Sequence, residues 1–416
     1  MEDQPLKIAL LGYRSDPNAG GQGVYLYHLS KALVELGHEV DVISGEPYPV
    51  LDERVRLVKL PGLNLFQYFP KQWKAFKLGY LRSVTDTWEY LSVVSGGFPE
   101  PKLFGRRLQK YLRENNTDYD VIHDNQSLSD GLLALQRSGV PVVATFHHPI
   151  TRDLALALDN EPRWWMRTMI RRWHHFLRMQ KRVVPKLKHV YTVSSAAQRD
   201  ICEDFRLSDN QLDVIYNGID TSIFKPSDSD IKLPNRIVCT ASAQAPLKGL
   251  KYLIGAMGHI VKHNPEVHLD LISKVQTDSK IDRLIDELGV RPNITIHSGI
   301  SNDALVTLYQ QAQICVCPSL YEGFGLPAGE AMACKTAVVS TDGGALPEVV
   351  GDAGRVVPAA DSAALAEAVL DVLADDELRS NMAQAGYQRI QTMFNWHSAA
   401  QQVVSLYHRA IEHADH

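Results

Sequence analysis

The sequence predicts an α/β protein built from two doubly wound, Rossmann-like domains. Short apolar runs alternate with amphipathic stretches long enough for helices, the pattern of a mostly parallel sheet covered on both faces. The alternation runs through two sets of similar length, on either side of the loop NGIDTSIFKP that starts at Asn217. In both sets a Gly-rich turn leads from a strand into a helix. The expected division is 1–216 as a first domain, 217–395 as a second and 396–416 as a final helix. The two halves are expected to face a central cleft at the carboxyl ends of their sheets, where such folds bind ligands.

In the first half, Lys7–Gly12 reads as a buried strand. A loop with Gly20 and Gly21 then opens a helix, with Leu26, Leu29, Leu33 and Leu36 at helical spacing and Gly37 as its stop. A Gly-rich corner after the first strand is the usual phosphate-facing corner of such domains, but the spacing is not G-x-G-x-x-G, which disfavours nicotinamide chemistry. Further strands are expected at Val40–Ile43, Val55–Leu60, Asp120–His123, Val140–Phe146 and His189–Val193. Phe66–Gly105, rich in aromatics and with breaks expected at Gly96, Gly97, Pro99 and Pro101, reads as an insertion. In the second half strands are expected at Arg236–Thr240, Val267–Ile272, Ile294–His297, Ile314–Cys317, Ala337–Ser340 and Arg355–Val357.

Composition narrows the class. The chain has 416 residues, 45% hydrophobic and 22% charged, as in ordinary globular proteins. A net charge of -5 argues against general nucleic-acid binding. With no apolar leader and no run approaching the ~20 residues of a membrane span, the expected location is the cytoplasm, either free or at the inner membrane face. Five cysteines without regular spacing fit reduced, packed thiols. The Asp-x-Asp at Asp118 and Asp120 is a chance match in a loop; no metal and no cofactor are expected.

The chemistry concentrates in Pro318–Val349, PSLYEGFGLPAGEAMACKTAVVSTDGGALPEV. Glu322 and Glu330 flank a Gly-rich turn that feeds a helix with Pro327 in its first turn. Free N–H groups and the positive dipole end suit an anion there, and Gly323 and Gly325 allow close backbone approach. Carboxylates beside a phosphate site make sense as acceptors for sugar and ribose hydroxyls. The plainer reading is a helix-dipole acid and a solvated loop acid.

These residues resemble the signature of family 4 glycosyltransferases, retaining nucleotide-sugar-dependent enzymes of the GT-B fold, and the similarity spans nearly the whole chain. The resemblance implies transfer of a sugar, from a UDP-sugar first with GDP- and ADP-sugars left open, to a hydroxyl of a glycan, lipid or small molecule, with 1–216 on the acceptor side, Phe66–Gly105 near the acceptor entrance, 217–395 binding the nucleotide sugar and the helix 396–416 crossing back to the first domain. It implies His147 at a strand end beside the transferred sugar, with a swap to His148 left open. Lys248, in SAQAPLKGL, would neutralise the departing diphosphate, unless it is a solvated surface lysine. Glu322 would hold sugar hydroxyls and Glu330 the ribose. Gly20, Gly21, Ser242, Lys274, Gly299, Ile300, Gly323, Phe324, Gly325 and Leu326 would complete the donor site, with Gly299 and Ile300 against the base. Two departures stand out. Ser242 and Ala243 occupy the neighbourhood of the family's phosphate-binding Arg, leaving Arg14 and Arg152 as candidate replacements. LISKV at Leu271–Val275 lacks the family's Gly-containing turn. A catalytically silent nucleotide-sugar-binding partner subunit and a GT-B epimerase are the rival readings.

One stretch falls outside this scheme. Arg163–His189 carries nine Lys or Arg and no acid, with Trp165, Met169, Trp173, Phe176 and Val183 at helical spacing. It reads either as a basic amphipathic helix for an anionic membrane surface or as a helix packing its apolar face on the first domain.

Overall fold

In a computed structural model, which describes residues 4–16, 21–115, 117–159, 161–227 and 232–414, the chain forms two compact units. One comprises Met1–Val193, Gln198–Ile215 and Trp396–His416; the other comprises Ser194–Ala197 and Tyr216–Asn395.

The first unit holds β1 (Lys7–Gly12), β2 (Glu39–Ser44), β3 (Arg56–Lys59), β4 (Val121–Asn125), β5 (Val142–Phe146), β6 (His189–Thr192) and the short β7 (Asp213–Val214). They form one sheet in the order β3-β2-β1-β4-β5-β6-β7, parallel at every pairing. Central strands such as VVATF are buried at every position, as a sheet covered on both faces requires. The helix Gly21–Glu35 turns Tyr25, Leu26, Leu29 and Leu33 into the core, and Gly37 follows it with φ 93°. The last helix, Trp396–Glu412, adds Ala399, Ala400, Val403, Leu406 and Tyr407 to the same core.

The second unit holds β8 (Arg236–Thr240), β9 (His268–Ile272), β10 (Ile294–His297), β11 (Ile314–Cys317), β12 (Ala337–Thr341) and β13 (Arg355–Val357), in the parallel order β10-β9-β8-β11-β12-β13. Its core packs Ile237, Cys239, Leu269, Leu271, Ile314 and Val316 against the helices Leu250–His263 and Ser362–Ala374. All five cysteines are buried and free. Each sheet has one place where neighbouring strands are not adjacent in sequence, β1/β4 and β8/β11, and the loops leaving such strands at their carboxyl ends open a crevice.

Two sequence expectations need correction. The insertion is ordered: three 3-10 turns, Leu65–Tyr68, Gln72–Ala75 and Leu78–Arg82, precede the helices Val84–Val94 and Glu100–Asn115. Pro101 is no break, because it sits in the first turn of a helix, where no N–H is needed. Arg163–His189 is not one helix. It divides into the helix Trp164–Trp173, a 3-10 turn His174–Phe176, the helix Leu177–Val183 and a 3-10 turn Val184–Lys186 around Pro185. The His174 ring bonds the Ile170 carbonyl at 2.8 Å, drawing the chain out of register at the first division. Leu177, Met179, Val183 and Val184 are buried, so the second half packs on its own unit.

Candidate functional site

In the second unit, the loops after β8 and β11 flank the point where strand order reverses, and they carry the predicted residues Lys248 and Glu322. Pro246–Lys248 forms a 3-10 turn that ends at Gly249, with φ 63°. A Cβ on Gly249 would lie 1.8 Å from the Pro318 carbonyl oxygen, so only glycine lets the two loops meet. The Leu320 amide donates to the Leu247 carbonyl at 2.7 Å and locks the approach. Lys248 Nζ then reaches both oxygens of Glu322, at 2.7 and 2.8 Å, while Ser319 Oγ donates to Oε1 at 2.7 Å. The Glu322 side chain is 11% exposed and that of Lys248 34%.

The pair has a consequence. A lone carboxylate here would repel an incoming phosphate, but Lys248 neutralises it, so the favourable field comes from the helix behind. That helix, Leu326–Ala333, starts at Gly325 with φ 104°, leaving its first N–H groups without intrahelical acceptors. Phe324 is buried with its ring centroid 5.6 Å from that of Phe394, and the Ala345 amide donates to the Glu322 carbonyl at 2.9 Å. The turn is thus held from both sides. On the helix, Glu330 Oε2 accepts from the Tyr309 hydroxyl at 3.1 Å, and Tyr309 also meets Thr240 Oγ1 at 3.0 Å. Burial pushes the Glu330 carboxyl up to about 7, with the Tyr309 hydrogen bond pulling the other way.

The other predicted donor residues lie on loops at the carboxyl ends of the neighbouring strands. Ser242 follows β8, Lys274 follows β9, and Gly299 and Ile300 follow β10. Ser242, Lys274 and Gly299 are exposed, Ile300 half-buried, and Gly299 has φ 67°. Gly323 offers its carbonyl to Ser194 Oγ at 2.7 Å.

In the first unit the loops after β4 and β5 build a neutral, buried site around His147. Asn125 Nδ2 donates to the Gln22 carbonyl at 3.3 Å, which turns its Oδ1 toward His147 Nε2. An amide oxygen accepts only, so Nε2 carries the proton and Nδ1 is the bare acceptor. The His147 amide donates to Gln126 Oε1 at 2.8 Å, and the Tyr25 ring stands edge-on to the imidazole at 4.6 Å. Burial first, then His148, lower the His147 pKa to about 3, so the ring is neutral across ordinary conditions. His148 instead faces Asp153 at 3.0 Å. Gly21 is exposed at the start of its helix, with open space where a Cβ would stand; Gly20 lies outside the described residues.

Neither substitute arginine is unengaged. Arg14 pairs with Glu100 at 3.3 Å, and Arg152 is surrounded by Asp200, Glu203 and Asp204. Asp120 accepts from the Lys7 amide at 2.6 Å, a structural bond at a strand start. Sequence reasoning missed Ser319, Tyr309, Asn125 and Gln126. It also missed Glu348, whose carboxylate accepts from the Ser195 and Ala196 amides at 2.8 and 2.5 Å, at the start of the helix Ser195–Phe205. The polar run DNQS directly after an apolar strand was the available signal for the β4 loop; it is buried throughout.

Comparison with known proteins identifies the family. Residues 19–223 match the family described as Glycosyltransferase Family 4, and residues 222–389 match Glycosyl transferases group 1. The chain is 44% identical over 412 residues to an MMP alpha-(1->4)-mannosyltransferase of Mycolicibacterium hassiacum, covering 98% of both chains. It is 26% identical over 399 residues to a phosphatidyl-myo-inositol mannosyltransferase of Mycolicibacterium smegmatis, covering 93% of this chain and 90% of that one. Among solved structures, sucrose-phosphate synthase from Thermosynechococcus elongatus superposes with a TM-score of 0.72 at 26% identity, covering 98% of each chain.

Proposed function

Because the chain belongs to glycosyltransferase family 4, we propose that it moves a hexose from a nucleoside-diphosphate sugar to a hydroxyl acceptor with retention of anomeric configuration. The observation that carries this reading is the Lys248–Glu322 pair at the mouth of the helix that Gly325 opens. Mannose is the favoured sugar, because two relatives covering nearly the whole chain are named mannosyltransferases. UDP is the first nucleotide expected, with GDP and ADP as the alternatives.

The roles follow from charge. The donor diphosphate approaches the helix amides, and Lys248 exchanges one carboxylate partner for phosphate oxygen. Glu322 is then released to accept hydrogen bonds from sugar hydroxyls, still held by Ser319. Glu330 accepts from the ribose, its remaining oxygen being the one that Tyr309 does not use. His147 accepts a sugar hydroxyl through Nδ1 and never needs to titrate. As the sugar–phosphate bond breaks, Lys248 and the helix amides take up the charge developing on the leaving diphosphate. The acceptor oxygen bonds to the anomeric carbon on the face the diphosphate leaves, and the acceptor proton passes to a departing phosphate oxygen. No carboxylate nucleophile and no metal takes part. Phosphatidyl-myo-inositol and D-inositol 3-phosphate, for which relatives are named, are the first acceptor candidates.

The test incubates the protein with UDP-, GDP- and ADP-linked glucose and mannose and these acceptors, then assigns the anomeric configuration of the product by NMR. Transfer with retention, lost in Glu322→Ala, is expected. Donor binding without turnover identifies a silent binding subunit, an isomerised donor without acceptor identifies an epimerase, and an inverted product overturns the proposed geometry of attack.

A further inference from the structure

The helix Val84–Val94 in the first unit buries a charge and exposes most of its apolar side chains. Its inward face holds Glu89, 2% exposed and paired with Arg107 at 2.6 Å, beside Ser92 and Val93. Its outward face presents Val84 at 79%, Trp88 at 49% and Leu91 at 61% exposure. These recur at helical spacing, so they form one apolar stripe on the side that a water-facing helix makes polar. The 3-10 turns before it extend the stripe with Phe69, Trp73, Leu78 and Leu81, and the helix Trp164–Trp173 adds Trp164 and Trp165. The two segments touch: Arg172 donates to Ser95 Oγ at 2.9 Å, and the Phe66 and Trp173 rings lie 5.0 Å apart. A cavity of about 490 Å³ opens between them, lined by Leu81, Val84, Trp88, Leu91 and Arg172. Five of the six tryptophans of the chain lie in these two segments. So broad an exposed apolar area marks a binding face.

Charge identifies the partner. Residues 65–94 carry Lys71, Lys74, Lys77 and Arg82, their two acids Asp86 and Glu89 both being paired with Arg107, and Trp164–Trp173 carries Arg167, Arg171 and Arg172 and no acid, in a chain whose total is -5. The cations stand beside the aromatics: Lys74 lies 5.3 Å from the Trp73 ring, Lys102 and Arg106 lie 5.4 and 5.5 Å from Trp88, and Arg163 lies 5.2 Å from Trp165. A second copy in the common two-fold arrangement would set these cations against themselves. A neutral glycan would use the aromatic rings but neither the aliphatic stripe nor the cations.

We infer that this face, built by Leu65–Val94 together with Trp164–Trp173, docks on the surface of an anionic lipid bilayer. The aliphatic side chains enter the acyl boundary, the tryptophans lie at headgroup level, and the lysines and arginines meet lipid phosphates. The helix Leu177–Val183 has no part in it, since its apolar side chains are buried. The inference does not depend on which sugar is transferred.

The experiment is flotation of the full chain with vesicles of phosphatidylcholine alone or mixed with phosphatidylglycerol, at low and high salt. The protein is expected to float with the anionic vesicles, to stay behind with the neutral ones, and to be released by salt. Leu78→Ser/Leu81→Ser/Val84→Ser should lower the partition coefficient on the order of 100-fold. Lys71→Gln/Lys74→Gln/Lys77→Gln should lower it on the order of 100-fold on anionic vesicles and remove most of the salt dependence. All six positions lie on the surface, and circular dichroism and thermal unfolding should match the unaltered chain. Three outcomes overturn the inference. One is no flotation with anionic vesicles. Another is a dimer by light scattering that the serine variant converts to monomer. The third is retention on immobilised α-mannan, lost in Trp73→Ala/Trp88→Ala, with vesicles ignored.

Discussion

The loops around Lys248 and those around His147 occupy equivalent places, at the carboxyl ends of strands beside a reversal of strand order, yet they handle polarity in opposite ways. In the second unit a full positive and a full negative charge face each other at 2.7 Å, partly open to solvent. In the first unit a half-buried imidazole is kept neutral and fixed by an amide. On the proposed reading, charge is held where a diphosphate would be met, and orientation without charge where a neutral hydroxyl would be met. An ion pair can exchange one partner for a ligand at little cost, because both ions remain compensated throughout. A neutral acceptor needs no compensation, only a set direction.

The contrast breaks most completely at Glu322. Glu322→Ala and Lys248→Ala are each expected to lower kcat by about 10²–10³-fold in a transfer assay, and a loss under tenfold for both would remove the pair from the chemistry. Next is Gly249→Ala. Its Cβ falls 1.8 Å from a main-chain oxygen at a positive φ, so the loops must separate. A loss of ~3 kcal/mol in urea unfolding is expected, with loss of donor binding.

The pH responses sharpen the comparison, because the two sites lose stability in opposite directions. Glu330 sits at about 7 in the folded protein, above the ordinary 4.5. The native state therefore keeps a proton that the unfolded chain has lost, and its stability falls as pH rises between those values. Glu330→Gln should raise stability by ~2 kcal/mol at about pH 8 and by nothing at about pH 4, read from thermal unfolding in the absence of donor. His147 sits at about 3, below the ordinary 6.5, so the unfolded chain binds the extra proton and stability falls as pH drops between those values. Asn125→Asp sets a carboxylate against that ring and raises its pKa by ~1–3 units. The acid limb of kcat/KM should move upward by that amount, whereas a purely structural role for Asn125 would leave the limb in place.

Much of the molecule was legible from residue order. Strands such as VVATF and ICVC are short, apolar and bounded by turn residues, so their existence and type follow from local pattern. The E-x7-E stretch with its Gly-rich turn announced a strand, a turn and a helix mouth, and all three are present at Ile314–Ala333. The insertion Phe66–Gly105 and the basic stretch Arg163–His189 were less legible. Their aromatic and basic composition fits several local conformations, and packing chose among them.

Sequence alone settled what depends on neighbours along the chain: two sets of alternating strands and helices, and glycines where the backbone turns; it also supplied the residue types of the proposed sugar-nucleotide site. Tertiary structure decided what depends on neighbours in space. Lys248 and Glu322 lie 74 residues apart and bond only because Gly249 lets two loops touch. The Nε2 proton of His147 is set by an amide 22 residues away. The apolar stripe of Val84, Trp88 and Leu91 looks like any core face until the opposite side of the same helix, with Glu89 and Val93, is found to be the buried one. Periodicity shows that a helix has two faces, but only the surrounding chain decides which of them meets water.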